Sequence, residues 1–151
     1  MKVREIMTQE VTAIEPEISA WEALQQLSQR RISGLPVIDK QGKLVGMFTE
    51  KDVLSHILPS YVQQVGKFIY EENPKGIKRK LTELKQIPVS RLMRKEVITI
   101  DSEVTLCEAA RVMLTQRARR LPVVDKTGKV VGIVAREDVL RAFIQEAEEN
   151  K

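Results

Sequence analysis

The chain has 151 residues, 42% hydrophobic and 30% charged, with a net charge of +4, which is ordinary for a globular chain and enough for one cored domain or two small halves sharing a core. No apolar run approaches the ~20 residues that span a bilayer, and the opening Met1-Lys2-Val3-Arg4-Glu5-Ile6 lacks the apolar stretch of a secretory signal. The expectation is a cytoplasmic protein with no membrane partner. Its single cysteine, Cys107, forms no internal disulfide and falls on a helical apolar pattern, so a buried, inert thiol is expected.

The charge is uneven. Residues 59–88 hold six Lys/Arg against three Asp/Glu, three of the four net positive charges. The rest of the chain is nearly neutral.

Aligned at a fixed offset of 86, residues 3–57 match residues 89–143 without a gap, with 21 of 55 pairs identical. Two copies of one supersecondary unit are too few for a solenoid and are expected to complete each other's core. Each copy opens with an extended stretch, Glu10–Ile14 and Glu96–Ile100. Ser19 and Glu22, then Thr105 and Glu108, have capping-box spacing. Helical apolar patterns follow: Ala20, Ala23, Leu24 and Leu27 in copy one, and Leu106, Ala109, Ala110 and Met113 in copy two. Trp21 lies in the first of these helices and is read as a core or interface side chain. Leu35-Pro36-Val37-Ile38 and Leu121-Pro122-Val123-Val124 are short β-branched runs that read as buried strands opened by proline. Asp39-Lys40-Gln41-Gly42-Lys43 and Asp125-Lys126-Thr127-Gly128-Lys129 are turn chemistry, with glycine suited to a left-handed position. Second hairpin strands run over 44–48 and 130–134. Closing helices are predicted over about 50–58 and 136–148. Each repeat is β-α-β-β-α, and the fold class is α/β (α+β), two such repeats packed as a pseudo-twofold pair.

Between the repeats, Leu58, Tyr61, Val62, Val65, Phe68 and Ile69 recur at helical spacing, which predicts a helix over 59–70 that buries Val62, Val65 and Phe68. Pro74 and Gly76 break the pattern. Ile77, Leu81 and Leu84 mark a second short helix, surrounded by Lys75, Lys78, Arg79, Lys80 and Lys85. The domain plan is thus repeat one over 1–58, a basic helical insertion over 59–87, and repeat two over 88–151.

Gly46-Met47-Phe48-Thr49-Glu50-Lys51-Asp52 places a glycine, a hydroxyl and a carboxylate at a strand-to-helix junction. Gly46 can let backbone approach a ligand. Thr49 at the N-cap, with the free amides after it, favours a phosphate. Asp52 is an acceptor for a ribose diol. Thr49 and Asp52 are also explained as a cap and a first-turn acid worth about 1 kcal/mol, and a single copy, which favours that reading, does not point to a ligand.

The doubled pattern does. A lead-in strand, Leu-Pro-Val, Asp-Lys-x-Gly-Lys, a glycine and Thr-x-x-Asp (Ala-x-x-Asp in copy two), occurring twice in register, resembles the paired cystathionine-β-synthase (CBS) domains known as a Bateman module. The resemblance covers about residues 1–57 and 88–146 and leaves out the insertion. It implies a non-enzymatic regulatory module with an adenosyl ligand (AMP, ADP, ATP or S-adenosylmethionine) in a cleft between the repeats, and no required cofactor. It also implies a homodimer through the helices after each Thr-x-x-Asp, and leaves room for an effector protein. By the family pattern Thr49 contacts ligand phosphate or ribose and Asp52 holds the ribose hydroxyls. In copy two Ala135 replaces the hydroxyl while Asp138 is kept. Side chains just before Leu-Pro face the phosphate held by the other repeat's aspartate, which assigns Arg119 and Arg120 to the ligand of Asp52, and Ser33 and Gly34 to a weaker second cleft with Asp138. Val11, Thr12, Leu35 and Val37 are candidates for the slot of the base, each also a plausible core residue.

His56, the only histidine, has no matched thiol, acid or second histidine, and a structural role is expected rather than a metal site. No nucleophile–base–acid set and no phosphate-binding glycine loop is present, so an enzyme is not expected. The basic patch of Lys75, Lys78, Arg79, Lys80 and Lys85 would support weak, salt-sensitive phosphate contact, yet it lacks the interleaved aromatics of a single-strand platform. A solvated helix face is the preferred reading. Nucleic acid is not an expected partner, and a weak nucleic-acid binder or a ligand-free protein-interaction module stands as the alternative.

Overall fold

In the computed structural model, residues 1–58 and 74–149 are described. The expected helix over 59–70, with Val62, Val65 and Phe68, lies outside them.

The elements in chain order are α1 (Ala20–Arg30), β1 (Gly34–Ile38), β2 (Leu44–Thr49), α2 (Glu50–Ile57), α3 (Pro74–Glu83) with a 3-10 turn over Leu84–Gln86, α4 (Val89–Leu92), β3 (Ile100–Asp101), α5 (Leu106–Thr115), β4 (Arg120–Val124), β5 (Val130–Ala135) and α6 (Arg136–Glu149). A further 3-10 turn spans Val3–Glu5. Mixed α+β order and repeat periodicity agree with the expectation. At the helix starts, the hydroxyl half of each capping box is present: Ser19 Oγ accepts from the Glu22 amide at 3.1 Å and Thr105 Oγ1 from the Glu108 amide at 3.2 Å. The Glu108 carboxylate turns instead to the Arg111 guanidinium, one turn further on. Pro74 opens α3, at the position where its missing N–H costs nothing.

Strands β1 and β2 form a two-stranded sheet, and β3-β4-β5 a three-stranded one. Gly42 and Gly128 take φ of 83° and 87° in the hairpin turns, as turn chemistry required. The lead-ins pair less than their sequence suggests. In copy one only Ile14 bridges, parallel to Val37, and in copy two β3 is two residues long. Pro36 and Pro122, each third in its strand rather than first, account for this. Ile14 donates to the Pro36 carbonyl at 3.0 Å and accepts from the Ile38 amide at 2.9 Å. The next parallel bond backwards needs the Pro36 N–H, which does not exist.

The chain resolves into two compact units: residues 13–40 with 45–96, and residues 1–12, 41–44 and 97–151. The core of the first is Ile14, Ala20, Ala23, Leu27, Leu35, Val37, Phe48, Val53, Leu84 and Val89. That of the second is Val3, Ile100, Ala109, Met113, Leu121, Val123, Val134 and Val139. Val3 and Val89 are equivalent positions of the repeats, both fully buried, and each sits in the core built by the other repeat. Backbone bonds repeat the exchange. Met47 and Arg94 trade N–H···O bonds of 2.9 and 2.8 Å, and Thr8 and Ile133 trade bonds of 2.9 and 3.0 Å. The two copies complete each other's core by swapping their leading segments.

Leu81 and Leu84 pack against the first core together with Trp21, and the Lys85 ammonium stands 5.0 Å from the Trp21 ring centroid. Trp21 is therefore a half-buried packing residue, as read. Cys107 is not. Its α5 buries Leu106, Ala109 and Met113, and Cys107, about 100° round the helix from Leu106, is exposed. The expected buried thiol is corrected on that ground.

Candidate functional site

Both Thr-x-x-Asp positions stand where a strand delivers the chain into a helix. In the first unit Thr49 ends β2 with extended backbone and caps α2. Its hydroxyl oxygen accepts from the Asp52 amide at 3.4 Å. Asp52 Oδ2 accepts from the Thr49 amide at 2.8 Å and from the Thr49 hydroxyl at 3.0 Å. The capping box is complete, and it fixes the Asp52 carboxylate at the junction, half-buried, using one oxygen. Asp52 makes no ion pair among the described residues.

In the second unit the same backward bond survives, from the Ala135 amide to Asp138 Oδ2 at 2.8 Å. The hydroxyl is gone, so the Asp138 amide loses that cap. The other carboxylate oxygen of Asp138 is 3.5 Å from the Arg141 guanidinium, with the Asp138 side chain 17% exposed. At the position of Arg141, copy one has Ser55. The two aspartates thus hold the same backbone position in different electrostatic settings.

The residues before Leu-Pro lie beside these junctions within their own units. The Ser33 carbonyl accepts from the Glu50 amide, and the Arg119 carbonyl from the Arg136 amide, each at 3.0 Å. A Cβ on Gly34 would stand 3.0 Å from Thr49 Cγ2. Across β4–β5, Arg120 faces Ala135. The pairs are complementary in size: glycine opposite threonine, alanine opposite arginine. Arg120 is 59% exposed, its guanidinium 4.0 Å from Glu137, and at that exposure the ion pair is weak. Arg119 is exposed as well.

Leu35 and Val37 belong to the first core, 1% and 0% exposed, and present no side-chain surface. Val11 and Thr12, in the second unit, are half-buried. Gly46 does not open the backbone to a ligand. A Cβ there would meet Met93 Sδ at 2.6 Å and the Arg94 carbonyl oxygen at 2.8 Å, so the space belongs to the exchanged segment. Gly132 repeats this with Met7 Sδ at 2.5 Å. Periodicity alone could have suggested that role, since Met7 and Met93 are themselves equivalent positions.

His56 Nε2 is buried, makes no hydrogen bond among the described residues and stands 4.0 Å from Glu83 Oε2. No group of three or more His, Cys, Asp or Glu among the described residues is placed to hold a metal ion, and none of their helices is long and apolar enough to cross a membrane.

A family profile for the CBS domain matches residues 3–59 and 89–145. A relative from Arabidopsis thaliana, the chloroplastic CBS domain-containing protein CBSX1, is 32% identical over 95% of this chain, and the chain spans 64% of that relative's length. Among solved structures, Arabidopsis CBSX2 in complex with AMP is 30% identical with a TM-score of 0.73, covering 97% of this chain and 98% of that one. The CBS domain pair of protein MJ0100, in complex with 5-methylthioadenosine and S-adenosyl-L-methionine, is 27% identical with a TM-score of 0.66, over 97% and 98% of the two chains.

Proposed function

The chain belongs to the CBS-domain family, with one domain in each repeat, and from that premise we propose that it is a non-enzymatic sensor whose ligand is an adenosyl compound carrying phosphate or its equivalent. In this proposal Thr49 and Asp52 receive the ribose, Arg119 or Arg120 neutralises the phosphate, and Val11 and Thr12 are the remaining candidates for the slot of the base, Leu35 and Val37 being core residues. Asp138, Ser33 and Gly34 make a weaker second site. The observation that carries the reading is Asp52, fixed at a strand-to-helix junction by its cap bonds while keeping one oxygen without an ionic partner among the described residues. Such a carboxylate can accept from both hydroxyls of a ribose diol. Similar CBS pairs bound to AMP, or to 5-methylthioadenosine and S-adenosyl-L-methionine, support the ligand class.

A thermal-shift panel of AMP, ADP, ATP, S-adenosylmethionine and NAD tests it. A ligand present at 100 times its dissociation constant adds about 2.7 kcal/mol of stability, and a panel in which none raises the melting temperature overturns the proposal.

We further propose a homodimer through α2 and α6. Leu54, Leu140 and Ile144 are 54%, 61% and 59% exposed on these helices, and Leu54 and Leu140 are equivalent positions. Sedimentation is expected to show twice the 17.2 kDa chain mass at tens of micromolar. Leu140→Glu is expected to shift it to the monomer, and a wild-type monomer at that concentration refutes the assembly.

A further inference from the structure

We propose that the face formed by Lys78, Arg79, Thr82, Lys85 and Gln86, on α3 and the 3-10 turn after it, is a sequence-independent docking site for the phosphate backbone of duplex nucleic acid. These residues and Glu83 line one open trough of about 530 Å³. At positions i, i+1, i+4, i+7 and i+8 they form a single stripe along the helix. From Lys78 to Lys85 the stripe runs roughly 10 Å at 1.5 Å per residue, the axial length of about three phosphates on one strand of B-form duplex.

The charge is available. The Glu83 carboxylate is engaged by Lys80 at 3.8 Å and faces His56 at 4.0 Å. Lys78, Arg79 and Lys85 take part in none of the ion pairs of the described residues. Lys85 is steadied at the trough by its contact with Trp21. The Thr82 hydroxyl donates to the Lys78 carbonyl at 2.9 Å, which leaves the Gln86 amide as the neutral donor on the stripe.

The kind of partner follows from what the stripe lacks. A protein interface draws its affinity from buried apolar and aromatic anchors. Among the described residues the large exposed apolar side chains are Met1, Leu54, Ile98, Leu114, Leu140 and Ile144, none of them on the stripe. A phosphate backbone needs no such anchor, because release of its condensed counterions drives binding. Single-stranded nucleic acid would need an aromatic platform, and among the described residues the ring in contact with the stripe, Trp21, is the one that Lys85 lies over. The missing aromatics that made a solvated face the preferred sequence reading therefore disfavour single strands and leave duplex backbone contact open. None of these residues belongs to the proposed adenosyl site.

The test is fluorescence anisotropy of the full chain with a labelled mixed-sequence 20-base-pair DNA duplex between 50 and 200 mM KCl. Three neutralised phosphates give a log–log slope near −2.7, a roughly fortyfold loss of affinity over that range. Lys78→Gln and Arg79→Gln are each expected to flatten the slope by about 0.9. The triple variant with Lys85→Gln is expected to lose binding, and Lys126→Gln, on the turn of the other repeat, to change nothing. The single variants carry the test should the triple variant fail to fold. Absence of binding at 50 mM, a slope unmoved by Lys78→Gln and Arg79→Gln, or tighter binding of polyglutamate than of duplex at equal charge overturns the proposal. The last outcome would assign the trough to an acidic protein.

Discussion

Gly46 and Gly132 are glycines because sulfur and carbonyl oxygen occupy the volume of a side chain. With Met93 Sδ and the Arg94 carbonyl both under 3 Å from a Cβ at position 46, Gly46→Ala must displace backbone as well as a flexible thioether, an overpacking of about 1–3 kcal/mol. Gly128 is the contrast: a Cβ there meets nothing within 4 Å, but φ is 87°, so Gly128→Ala costs only the left-handed backbone, about 1–2 kcal/mol. Urea titration of the two variants checks this. A Gly46→Ala cost at or below 0.5 kcal/mol would show that the exchanged segment yields freely. The sequence marked Gly46 as special but offered a ligand as the reason. A glycine records that something comes close, not what. Cys107 shows the same limit, since its neighbours in the helical pattern are apolar while its own angle round α5 points outward.

At the scale of elements, Thr-x-x-Asp is first a capping device. Thr49→Ala removes the hydroxyl half of the box and leaves the Asp52 carboxylate on the strand amide, the arrangement copy two already has. The expected loss is about 1 kcal/mol, seen as a lower midpoint in thermal or urea unfolding. The converse, Ala135→Thr, is expected to gain no more than that, because the new side chain faces Arg120 across the strand pair. A stabilisation beyond 2 kcal/mol would mean that the hydroxyl finds a partner other than the cap. Capping, turns and the strand–helix order were legible because each is local. The short lead-in strands were not, because their length depends on which amides of a neighbouring strand can donate, and proline removes one. The pH dependence is also local. Hydrogen bonds from Lys2 to Glu103, from Arg111 to Glu108 and from Thr127 to Asp125 hold these carboxyls below their ordinary values of 4.5, 4.5 and 3.8. A depressed folded-state pKa gives stability that is present above the unfolded value and lost as pH falls through the folded one. The melting temperature is therefore expected to be flat with respect to these groups above about pH 5 and to fall below pH 4. Glu103 is solvent-exposed, so Glu103→Gln is expected to shift the acid limb only slightly. A loss of stability on raising pH from 5 to 7 would contradict the sign.

On the scale of the whole molecule, the repeat is legible in sequence but the exchange is not. Val3 and Val89 are identical and equivalent, so an alignment cannot say whether each packs on its own copy or on its sister. Pairings such as those of Arg94 with Met47 and of Thr8 with Ile133 decide it. The same ambiguity bears on the ligand. The proposal assigns Arg119 and Arg120, by family resemblance, to the ligand of Asp52, whereas within its own unit Arg120 stands beside the Ala135–Asp138 junction. Two differences between the copies favour Asp52 as the tighter site. Thr49 is present where Ala135 is not, and Asp52 lacks the ionic partner that Arg141 gives to Asp138. A cross-repeat arginine adds a charged hydrogen bond of roughly 1.5–3 kcal/mol to a hydroxyl contact of about 1. With 1.4 kcal/mol per factor of ten, a site with both contacts would bind about two orders of magnitude more tightly than one with neither. Calorimetry is expected to show that Asp52→Ala removes most AMP binding while Asp138→Ala changes little. Arg120→Ala is expected to weaken AMP far more than adenosine, which has no phosphate to lose. An Arg120→Ala penalty on AMP that appears only while Asp138 is intact would place the arginine with its own repeat. Equal losses from Asp52→Ala and Asp138→Ala would show that neither the hydroxyl nor the Arg141 pair sets the order of the sites.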